Sequence, residues 1–471
     1  MAVVSTANPL VAQYNISFLQ PGLTAWVEFG IDTSYGRQTS VVPSSGGQTF
    51  SILVAGMTAQ TTYHMRGHLN WSGGSWVDQD RTFATGTIST VLPTPQVSIS
   101  SPVGGPQAIA PAQGIELLSL ASASGAPALH AVAVDLQGNI IWYCPYGAQP
   151  VKPMQNGHFI LLEATDLLEV DLACNVVRDV SLFEVKQSLQ ASQHSYNLIN
   201  FSHDVLTLPN GHWVTIIQVS QDFTDLPGYP GTTSVLGDIV VDINPNSRVV
   251  WFWSAFDHLD ITRHPYFGLP DWTHSNALVH TRDGNLLLSM RAQSWVLKID
   301  YADGTGSGNV IWKLGQDGDF TLSGGDPSQW FYGQHYPKIL SGSNSQTTVA
   351  VYDDGNYRID PSTGLFCGSS GAPACYSRAT IFQIDESTNL ATLSWQDLPG
   401  YFSFWGGSID LLSNGDIEFD SSEPFDDNTS QITEVTQTAS PQIVWQMNIT
   451  GTNAYRGLRV PSLYPGVAWS K

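Results

Sequence analysis

Residues 132–142 read VAVDLQGNIIW, and residues 241–251 read VDINPNSRVVW. Each stretch is an apolar strand that ends in Asp, followed by a turn and by a second apolar strand that carries Trp. The same unit recurs three more times with its Trp and once without it, at 299–312, 384–395, 435–445 and 170–177. A unit of two strands and a turn that recurs at variable spacing is typical of a β-propeller built from similar blades. The pattern predicts an all-β chain whose main part is a six-bladed β-propeller, with the Trp-bearing strands outermost.

The beginning of the chain follows a different pattern. Short alternating strands separated by Gly-rich turns fill residues 8–85, which predicts a small fibronectin-type or Ig-like β-sandwich. We expect this sandwich over residues 1–87, a Pro-containing linker over 88–105 and the propeller over 106–471. The segment YRGLRVPSLYP, which begins at Tyr455, is expected to return and close the ring against the first blade.

Composition excludes several classes of partner. The 471 residues include 18 Lys and Arg against 40 Asp and Glu, which gives a formal net charge of −22. Because nucleic acids are bound through a basic face, we expect no nucleic-acid partner, and the same charge disfavours an anionic membrane surface. No apolar run reaches the roughly 18 residues that span a bilayer, and the segment after Met1 does not read as a signal peptide. Low Lys content, polar loops and four Cys favour a secreted or periplasmic protein in its mature form.

Two intervals between the repeated units are long, and both are interpreted as loop insertions over one face of the ring. The first contains DFTDLPGYPGTT, from Asp222, and the second runs from Asp353 to Ser377. The second contains CGSSGAPAC, a short Gly- and Pro-rich loop that predicts a disulfide between Cys367 and Cys375.

The other two cysteines lie at the ends of predicted outer strands in neighbouring units. Cys144 and Cys174 could therefore also meet, and four reduced thiols are the alternative for the two pairs together. The sequence has no CxxC pair and no Cys/His spacing typical of a metal site, so we expect no bound metal.

Three His stand where inner strands of consecutive blades are predicted to begin: His203 in FSHDV, His274 in DWTHSNAL and His335 in GQHYPKIL. Inner-strand starts converge on one mouth of a propeller channel. Asn276 shares the strand face of His274, and Arg291 ends the next strand. This set suits a small tetrahedral oxyanion, because it offers several donors, a permanent positive charge and a nucleophile. Each His taken alone is more often a capping or turn residue, and the pattern does not rank the three as nucleophiles.

A series of motifs resembles the bacterial arylsulfotransferases of the arylsulfate sulfotransferase type. The motifs are DWTHSNAL, LLLSMRAQSWVLKID, IWKLG, GQH, SRATIFQIDE and YRGLRV, and the resemblance covers nearly the whole chain. It implies a six-bladed propeller preceded by a small β-sandwich. It also implies transfer of a sulfuryl group from an aryl sulfate to a phenol, with no cofactor and no nucleotide donor.

The resemblance also assigns roles to residues. The His that follows Gln, here His335, matches the nucleophile that becomes transiently sulfated. His203, His274, Asn276 and Arg291 match the groups that hold the sulfuryl oxygens. This sequence departs from the family in one respect: the family's Cys pair precedes the nucleophile, whereas the 367–375 pair follows it.

The implied partners are small-molecule aryl sulfates and phenols, and a homodimer is possible. Four aromatic residues near the predicted mouth are candidates to hold the aryl rings, with rim packing as the alternative: Trp330, Phe331, Tyr336 and Tyr455.

Two functions of other classes compete with sulfuryl transfer. The three His with Asp204 suggest a metal-dependent propeller hydrolase of esters or lactones, against which a neighbouring Arg291 counts. The third is a non-catalytic secreted propeller that binds a ligand, with the sandwich as an adhesion or dimer module.

Overall fold

The computed structural model describes residues 1–44, 49–88, 96–100, 109–121, 130–147, 149–343, 345–426 and 428–469. Helix is limited in this part of the chain to α1 (Leu182–Ala191), α2 (Ala255–His258) and two short 3₁₀ turns, Ala302–Gly304 and Pro327–Gln329. No helix among the described residues is long and apolar enough to cross a membrane.

Nine strands form the N-terminal region: β1 (Ala2–Ser5), β2 (Ala12–Ser17), β3 (Thr24–Gly30), β4 (Arg37–Gln38), β5 (Val42–Pro43), β6 (Thr49–Val54), β7 (Thr62–Trp71), β8 (Gly74–Val77) and β9 (Arg81–Ala84). One sheet has the order β1-β2-β6 and the other β4-β3-β7-β8, with β5 also on β3 and β9 on β7. Buried and less buried positions alternate along β2 and β3, so each sheet turns one apolar face inward. The predicted β-sandwich is confirmed.

The remaining strands build the ring: β10 (Gln96–Ser100), β11 (Ile115–Ala121), β12 (Ala131–Asp135), β13 (Ile140–Cys144), β14 (Val151–Pro153), β15 (Phe159–Leu162), β16 (Asp166–Val170), β17 (Val176–Ser181), β18 (Asn197–Thr207), β19 (Trp213–Leu226), β20 (Tyr229–Ile243), β21 (Val249–Ser254), β22 (Ser275–His280), β23 (Leu286–Met290), β24 (Trp295–Ile299), β25 (Val310–Leu314), β26 (Thr321–Leu322), β27 (His335–Ser343), β28 (Gln346–Asp353), β29 (Arg378–Asp385), β30 (Leu390–Asp397), β31 (Ser408–Leu411), β32 (Ile417–Ser421), β33 (Thr429–Val435), β34 (Ile443–Thr450) and β35 (Asn453–Val460).

These strands form six sheets in the described part of the chain. From the inner strand outward the sheets are β35-β11-β12-β13, β14-β15-β16-β17, β18-β19-β20-β21, β22-β23-β24-β25, β27-β28-β29-β30-β26 and β31-β32-β33-β34-β10. Successive inner strands contact one another, as β18 contacts β22 and β22 contacts β27. The predicted β-propeller is confirmed.

The ring closes where the C-terminal strand β35 pairs antiparallel with β11, so that Leu458 lies opposite Leu117. The prediction that the segment from Tyr455 returns to the first blade is confirmed. The chain then runs onto the sandwich, where Tyr464 and Trp469 join its apolar core. The two domains therefore share buried side chains.

The Trp-bearing strands lie on the outer side of their sheets, as predicted. Two of these strands carry one further strand beyond them: β26 pairs with β30, and β10 pairs with β34. Strand β10 falls inside the segment 88–105 that the sequence assigns to a linker. The predicted boundary at residues 105/106 lies outside the described residues.

One predicted loop is a regular hairpin. The segment DFTDLPGYPGTT continues β19 and β20 far beyond the ring, with Phe223 opposite Thr233. Its Thr, Tyr and Phe residues favour strand, so the ladder continues where the sequence predicted a loop. Tyr229, near the turn, accepts a hydrogen bond from the Leu269 backbone N–H (2.9 Å), which rests the hairpin on the loop before β22.

Both cysteine pairs form disulfides. Cys367 and Cys375 lie 5.0 Å apart between their Cα atoms, and Cys144 and Cys174 lie 5.8 Å apart. The first pair closes a turn within the segment 354–377, which connects β28 to β29. The second pair links two neighbouring sheets.

Candidate functional site

Each of the three predicted His stands at an irregularity of an inner strand. The pairing register shifts at residues 202–205 of β18, 275–277 of β22 and 335–338 of β27. A β-bulge re-aims a side chain, and a positive φ in a residue other than Gly is uncommon and requires support. His203 has φ 58° and His274 has φ 45°, so both positions meet this description.

His203 differs from the prediction in one respect, because it does not begin its strand. Strand β18 begins at Asn197, which pairs with Ser220 of the long β19. The extension exists because the hairpin described above supplies a partner for residues 197–202. His274 directly precedes β22, and His335 is the first residue of β27, as predicted.

The five predicted residues come together at one end of the channel. The rings of His203 and His274 lie 4.8 Å apart between centroids. Tyr455 lies between two of the imidazoles, with its ring 5.7 Å from His203 and 6.1 Å from His335. Asn276 joins this group through the next inner strand, because its side-chain amide donates to the carbonyl of Gln334 (2.7 Å), the residue before His335.

Hydrogen bonds to both ring nitrogens determine the tautomer of His335. Its Nδ1 lies 2.7 Å from Asp354 Oδ2, and the backbone N–H of Gly406 donates to its Nε2 at 3.3 Å. A peptide N–H only donates, so Nε2 accepts and the ring proton resides on Nδ1, where it donates to Asp354. The lone pair of Nε2 therefore accepts the N–H of Gly406, and Nε2 is the unprotonated nitrogen of the ring.

Burial determines the charge state of His335. The side chain is only 2% exposed. Burial, together with the positive charge of Arg291, lowers the pKa of His335 well below its ordinary value of 6.5, so the imidazole is uncharged at neutral pH. Burial raises the pKa of Asp354 well above its ordinary value, and Arg291 opposes that shift by favouring the carboxylate.

The other two imidazoles have different partners. His274 Nδ1 lies 2.6 Å from Asp271 Oδ2, while His203 Nδ1 lies 2.5 Å from the Ser202 hydroxyl. Burial, followed by the neighbouring His274 and nearby arginines, lowers the pKa of His203 well below its ordinary value. The imidazoles of His203 and His335 are therefore both neutral at neutral pH.

Arg291 brings a nearly buried positive charge to the cluster. Its Nη2 donates to the carbonyl of Phe404 (2.9 Å), and its guanidinium carbon lies 4.4 Å from the ring centroid of Phe267 and 5.1 Å from that of Phe404. Its Nε is buried and has no hydrogen-bond partner among the described residues. Guanidinium donors suit oxyanions, so this group can add a sulfate-sized anion to its partners.

Further aromatic side chains pack against Phe267 and Phe404, the two rings that contact Arg291. Tyr357 packs edge-on against Phe267, at 5.0 Å between ring centroids, and contacts Phe366 beside the 367–375 disulfide. Beside the other ring, Phe402 lies 6.3 Å from Phe404 between ring centroids, and Phe404 is 46% exposed. We call these five residues the aromatic rim.

The structure brings only part of the predicted ring-binding set to the cluster. Tyr455 lies within it, and Tyr336 packs against the guanidinium of Arg456, 4.5 Å from its carbon. Trp330 and Phe331 lie elsewhere, in an apolar core between two blades, where both pack against Phe382. The segment that leads into β27 passes between two sheets, and Trp330 and Phe331 lie in this segment. Their side chains therefore pack between the blades, although both residues are close to His335 in sequence.

Several contact residues were missed by sequence reasoning: Asp271, Asp354, Phe404, Gly406 and Arg456. Two of them left a signal, because Asp271 lies within DWTHSNAL and Arg456 within YRGLRV. Phe404 and Gly406 lie in the irregular connection between β30 and β31, where no periodic pattern indicates which residue turns toward the channel.

Comparison with known proteins identifies one family. A model of the family described as Arylsulfotransferase (ASST) matches residues 112–456, which include all five clustered residues. Among solved structures, a protein of unknown function from Bacteroides caccae is 11% identical, with a TM-score of 0.43 over 74% of this chain and 100% of that chain. A streptogramin B lyase is 9% identical, with a TM-score of 0.29 over 75% of this chain and 98% of that chain. No curated protein matches the sequence.

Proposed function

The chain belongs to the arylsulfotransferase family, and from this premise we propose that it transfers a sulfuryl group from an aryl sulfate ester to a phenol through a sulfo-histidine on His335. Family membership supports sulfotransferase activity on small aryl molecules. One observation carries the finer proposal: His335 is buried and uncharged, its Nε2 is the unprotonated nitrogen, and Arg291 and two further imidazoles lie close enough to act on its charge.

In the first step the Nε2 of His335 gives up the 3.3 Å hydrogen bond from Gly406 and attacks sulfur, and the bond from sulfur to the aryl oxygen breaks. The electron pair of that bond leaves with the phenolate. The imidazole then carries the sulfuryl group on Nε2 and a proton on Nδ1, and Asp354 at 2.7 Å stabilises the positive charge that develops on the ring. In the second step an acceptor phenol, after losing its proton to solvent, attacks sulfur and restores neutral His335.

Stabilisation of charge on the sulfuryl oxygens is assigned to the rest of the cluster. The free Nε of Arg291 supplies a charged donor, and His203 supplies an Nε2–H group when its Nδ1 accepts from the Ser202 hydroxyl. His274 donates its Nδ1–H to Asp271, so it can offer a second N–H to the sulfuryl oxygens only as an imidazolium, which Asp271 stabilises. The amide of Asn276 already donates once to Gln334, which leaves it one further proton. Positioning and charge stabilisation are the main sources of catalysis in the related phosphoryl transfers.

The aromatic rim is proposed to hold the aryl group of donor and acceptor. Phe267 and Phe404 flank Arg291, so a ring that docks between them places its ester oxygen beside the guanidinium. Tyr455, within the cluster, closes the inner side of that space, with the ring of Trp405 stacked on it at 6.5 Å. In the proposed substrate site the aromatic rim therefore has the ring-binding role that the sequence had suggested for Trp330 and Phe331.

The two disulfides are compatible with a compartment outside the cytoplasm, which supports the proposal that the protein is secreted or periplasmic. The boundaries at residues 87/88 and 105/106, the absence of nucleic-acid and membrane partners, and a homodimer stay predictions.

Turnover of a chromogenic aryl sulfate tests the proposal. The protein is incubated with 4-nitrophenyl sulfate, with and without added phenol, and release of 4-nitrophenol is followed. Release that depends on phenol and yields phenyl sulfate is expected. Absence of release overturns the proposal, and release that requires an added divalent metal ion supports the hydrolase alternative instead.

Rapid quenching tests the covalent step. A stoichiometric sulfated peptide that contains His335 is expected when acceptor is omitted. A label on His203 or His274 would reassign the nucleophile.

A further inference from the structure

Arg456 lies beneath the histidine cluster, and we infer that it is a positioning residue for the transfer, anchoring the strand bulge at Asn276 and holding a positive charge beside His335. The inference rests on the proposed function, because it assigns Arg456 a task in the same reaction. No role for this residue follows from the sulfuryl contacts described above, since its two terminal nitrogens already donate to Asp204 and to the carbonyl of Asn276.

The contacts of Arg456 join it to three other inner strands. Its side chain is fully buried, at 0% exposure. Nη1 donates to Asp204 Oδ1 on β18 (3.1 Å), and Nη2 donates to the carbonyl of Asn276 on β22 (2.5 Å). The guanidinium carbon lies 4.5 Å from the ring of Tyr336 on β27 and 5.1 Å from that of Tyr455. One side chain thus connects four strands that carry the site.

The hydrogen bond to Asn276 matters because of the bulge. Pairing between β22 and β23 shifts between Ser275 and Ala277, so Asn276 is left without a partner in the ladder. A buried carbonyl in that position needs another donor, and Arg456 supplies it. The side-chain amide of Asn276 in turn holds the carbonyl of Gln334, the residue before His335. A continuous path of hydrogen bonds and backbone therefore runs from Arg456 to the nucleophile.

The charge of Arg456 is secured by Asp204. Burial opposes the charged guanidinium, but Asp204 outweighs it and raises the pKa of Arg456 above its ordinary value. Burial likewise acts to raise the pKa of Asp204, yet Arg456 and Lys152 together hold it below its usual value. The anion accepts a further hydrogen bond from the Leu278 backbone N–H (2.8 Å), which fixes β18 against β22.

Charged and titratable groups from every neighbouring element surround His335. The groups are Asp354, Arg291, His203, His274, Tyr455 and Arg456. After burial, the positive charges of this set, Arg456 among them, lower the pKa of His335. Loss of the charge at Arg456 therefore favours the protonated imidazole, which has no lone pair for attack on sulfur.

Two substitutions separate the charge from the geometry. Arg456→Gln removes the charge, so kcat is expected to fall and the acid limb of kcat/KM to move to higher pH. Arg456→Lys keeps the charge but loses the planar fork that reaches Asp204 and Asn276 together. It is expected to lower kcat about 10–100-fold while the acid limb stays in place.

Arg459→Lys is the matched control. Arg459 lies on the same strand, is also buried and pairs with Glu116, Glu418 and Glu434, but contacts none of the three His. This variant is expected to lose stability and to retain the native kcat and pH profile. An equal kcat loss in Arg459→Lys and Arg456→Lys would show that Arg456 supports the fold without positioning the site.

A readout that needs no turnover distinguishes this inference from the proposed function. The imidazole ¹⁵N resonances of His335, assigned by comparison with His335→Gln, are titrated in native protein and in Arg456→Gln. An upward shift of the His335 titration is expected, and identical titrations overturn the electrostatic part. Should Arg456→Gln fail to fold, Asp204→Asn is used, with a downward shift expected and no shift contradicting it. If the His335 titration shifts as expected but the protein never releases 4-nitrophenol from 4-nitrophenyl sulfate, the proposed function is wrong and the inference about Arg456 still holds.

Discussion

The outer and inner edges of the same sheets follow opposite rules. At the outer edge, four Trp of the repeated unit donate their indole N–H to a carbonyl of a neighbouring blade: Trp142 to Leu172 (2.8 Å), Trp251 to Gly306 (3.1 Å), Trp395 to Thr438 (2.9 Å) and Trp445 to Leu136 (3.2 Å). At the inner edge, three neighbouring strands carry bulges, and two of their His adopt positive φ. Repetition stabilises the ring, whereas departure from it builds the site.

The difference shows where local strain is retained. A positive φ in a His or an unpaired guanidinium nitrogen lowers stability and persists only where surrounding contacts enforce it. At the mouth of the channel two residues with positive φ, His203 and His274, lie in one cluster with the unpaired Nε of Arg291. Outer turns also contain residues with positive φ, such as Ser247 and Asn389, but their polar groups are satisfied within the turn, as at Asp135. The comparison predicts that inner-edge substitutions affect activity and outer-edge substitutions affect stability.

The largest effect is expected for substitution of the proposed nucleophile at the inner edge, which should lower activity and leave stability almost unchanged. His335→Ala is expected to lower kcat by more than about 10⁴-fold, because two-step transfer needs a covalent acceptor. The circular dichroism spectrum and thermal midpoint should stay close to native, with the 4-nitrophenyl sulfate assay as the measurement. Full activity in this variant would remove the basis of the proposed mechanism.

Arg291→Ala is expected to have a smaller effect on the same edge. It removes one charged donor to the sulfuryl oxygens, so kcat should fall about 10²–10³-fold. The sulfated His335 peptide should still form, only more slowly, in rapid-quench experiments. Arg263→Ala is a useful control, because Arg263 is another arginine that packs on an aromatic ring, that of Trp295, away from the imidazoles. An equal kcat loss in both variants would point to a general structural effect.

The outer edge offers its own matched pair. Trp142→Phe removes a buried N–H that donates to Leu172, so it should destabilise the fold by about 1–2 kcal/mol. Trp312 belongs to the same repeat, but its buried indole nitrogen has no partner among the described residues. Trp312→Phe should therefore leave the free energy of unfolding in urea nearly unchanged. The idea that these hydrogen bonds clamp the blades fails if the two variants lose equal stability.

The smallest effect is expected for pH: kcat/KM of the native protein should not change between neutral pH and pH 6.5. Burial holds the pKa of His335 well below 6.5, so the nucleophile stays uncharged as the pH falls from neutrality to 6.5. The acid limb of kcat/KM should therefore appear only below pH 6.5, since protonation begins only as the pH approaches the lowered value. A profile that declines already above pH 6.5 would show that another group titrates or that His335 is solvated.

The fold could be predicted from the sequence because the repeated unit is a local pattern: a strand that ends in Asp, a turn and a strand that carries Trp. At the inner edge no single residue predicted the site. The prediction came from three residues together, His203, His274 and His335, which occupy comparable places in successive blades and all reach the mouth. What sequence could not show was how each backbone departs from regularity. The bulge at residues 202–205 depends on a partner strand whose extension was interpreted as a loop.

Residues supplied by irregular connections were also beyond sequence reasoning. Phe404 and Gly406 contact Arg291 and His335 through backbone groups, which every residue type possesses. Trp330 and Phe331 show the opposite error, in which large aromatic residues near His335 in sequence turn into the core between blades. Side-chain identity is therefore a poor guide where the backbone makes the contact.

Closure of the ring by β35 has a consequence for how the protein is made. This strand lies near the C-terminal end of the sequence and carries Tyr455 and Arg456 into the site. While a ribosome is still synthesising the chain, the histidines can exist without the strand that completes their surroundings. The site is therefore incomplete until this strand has left the ribosome and paired with β11, so the proposed activity is expected only in a chain whose ring has closed.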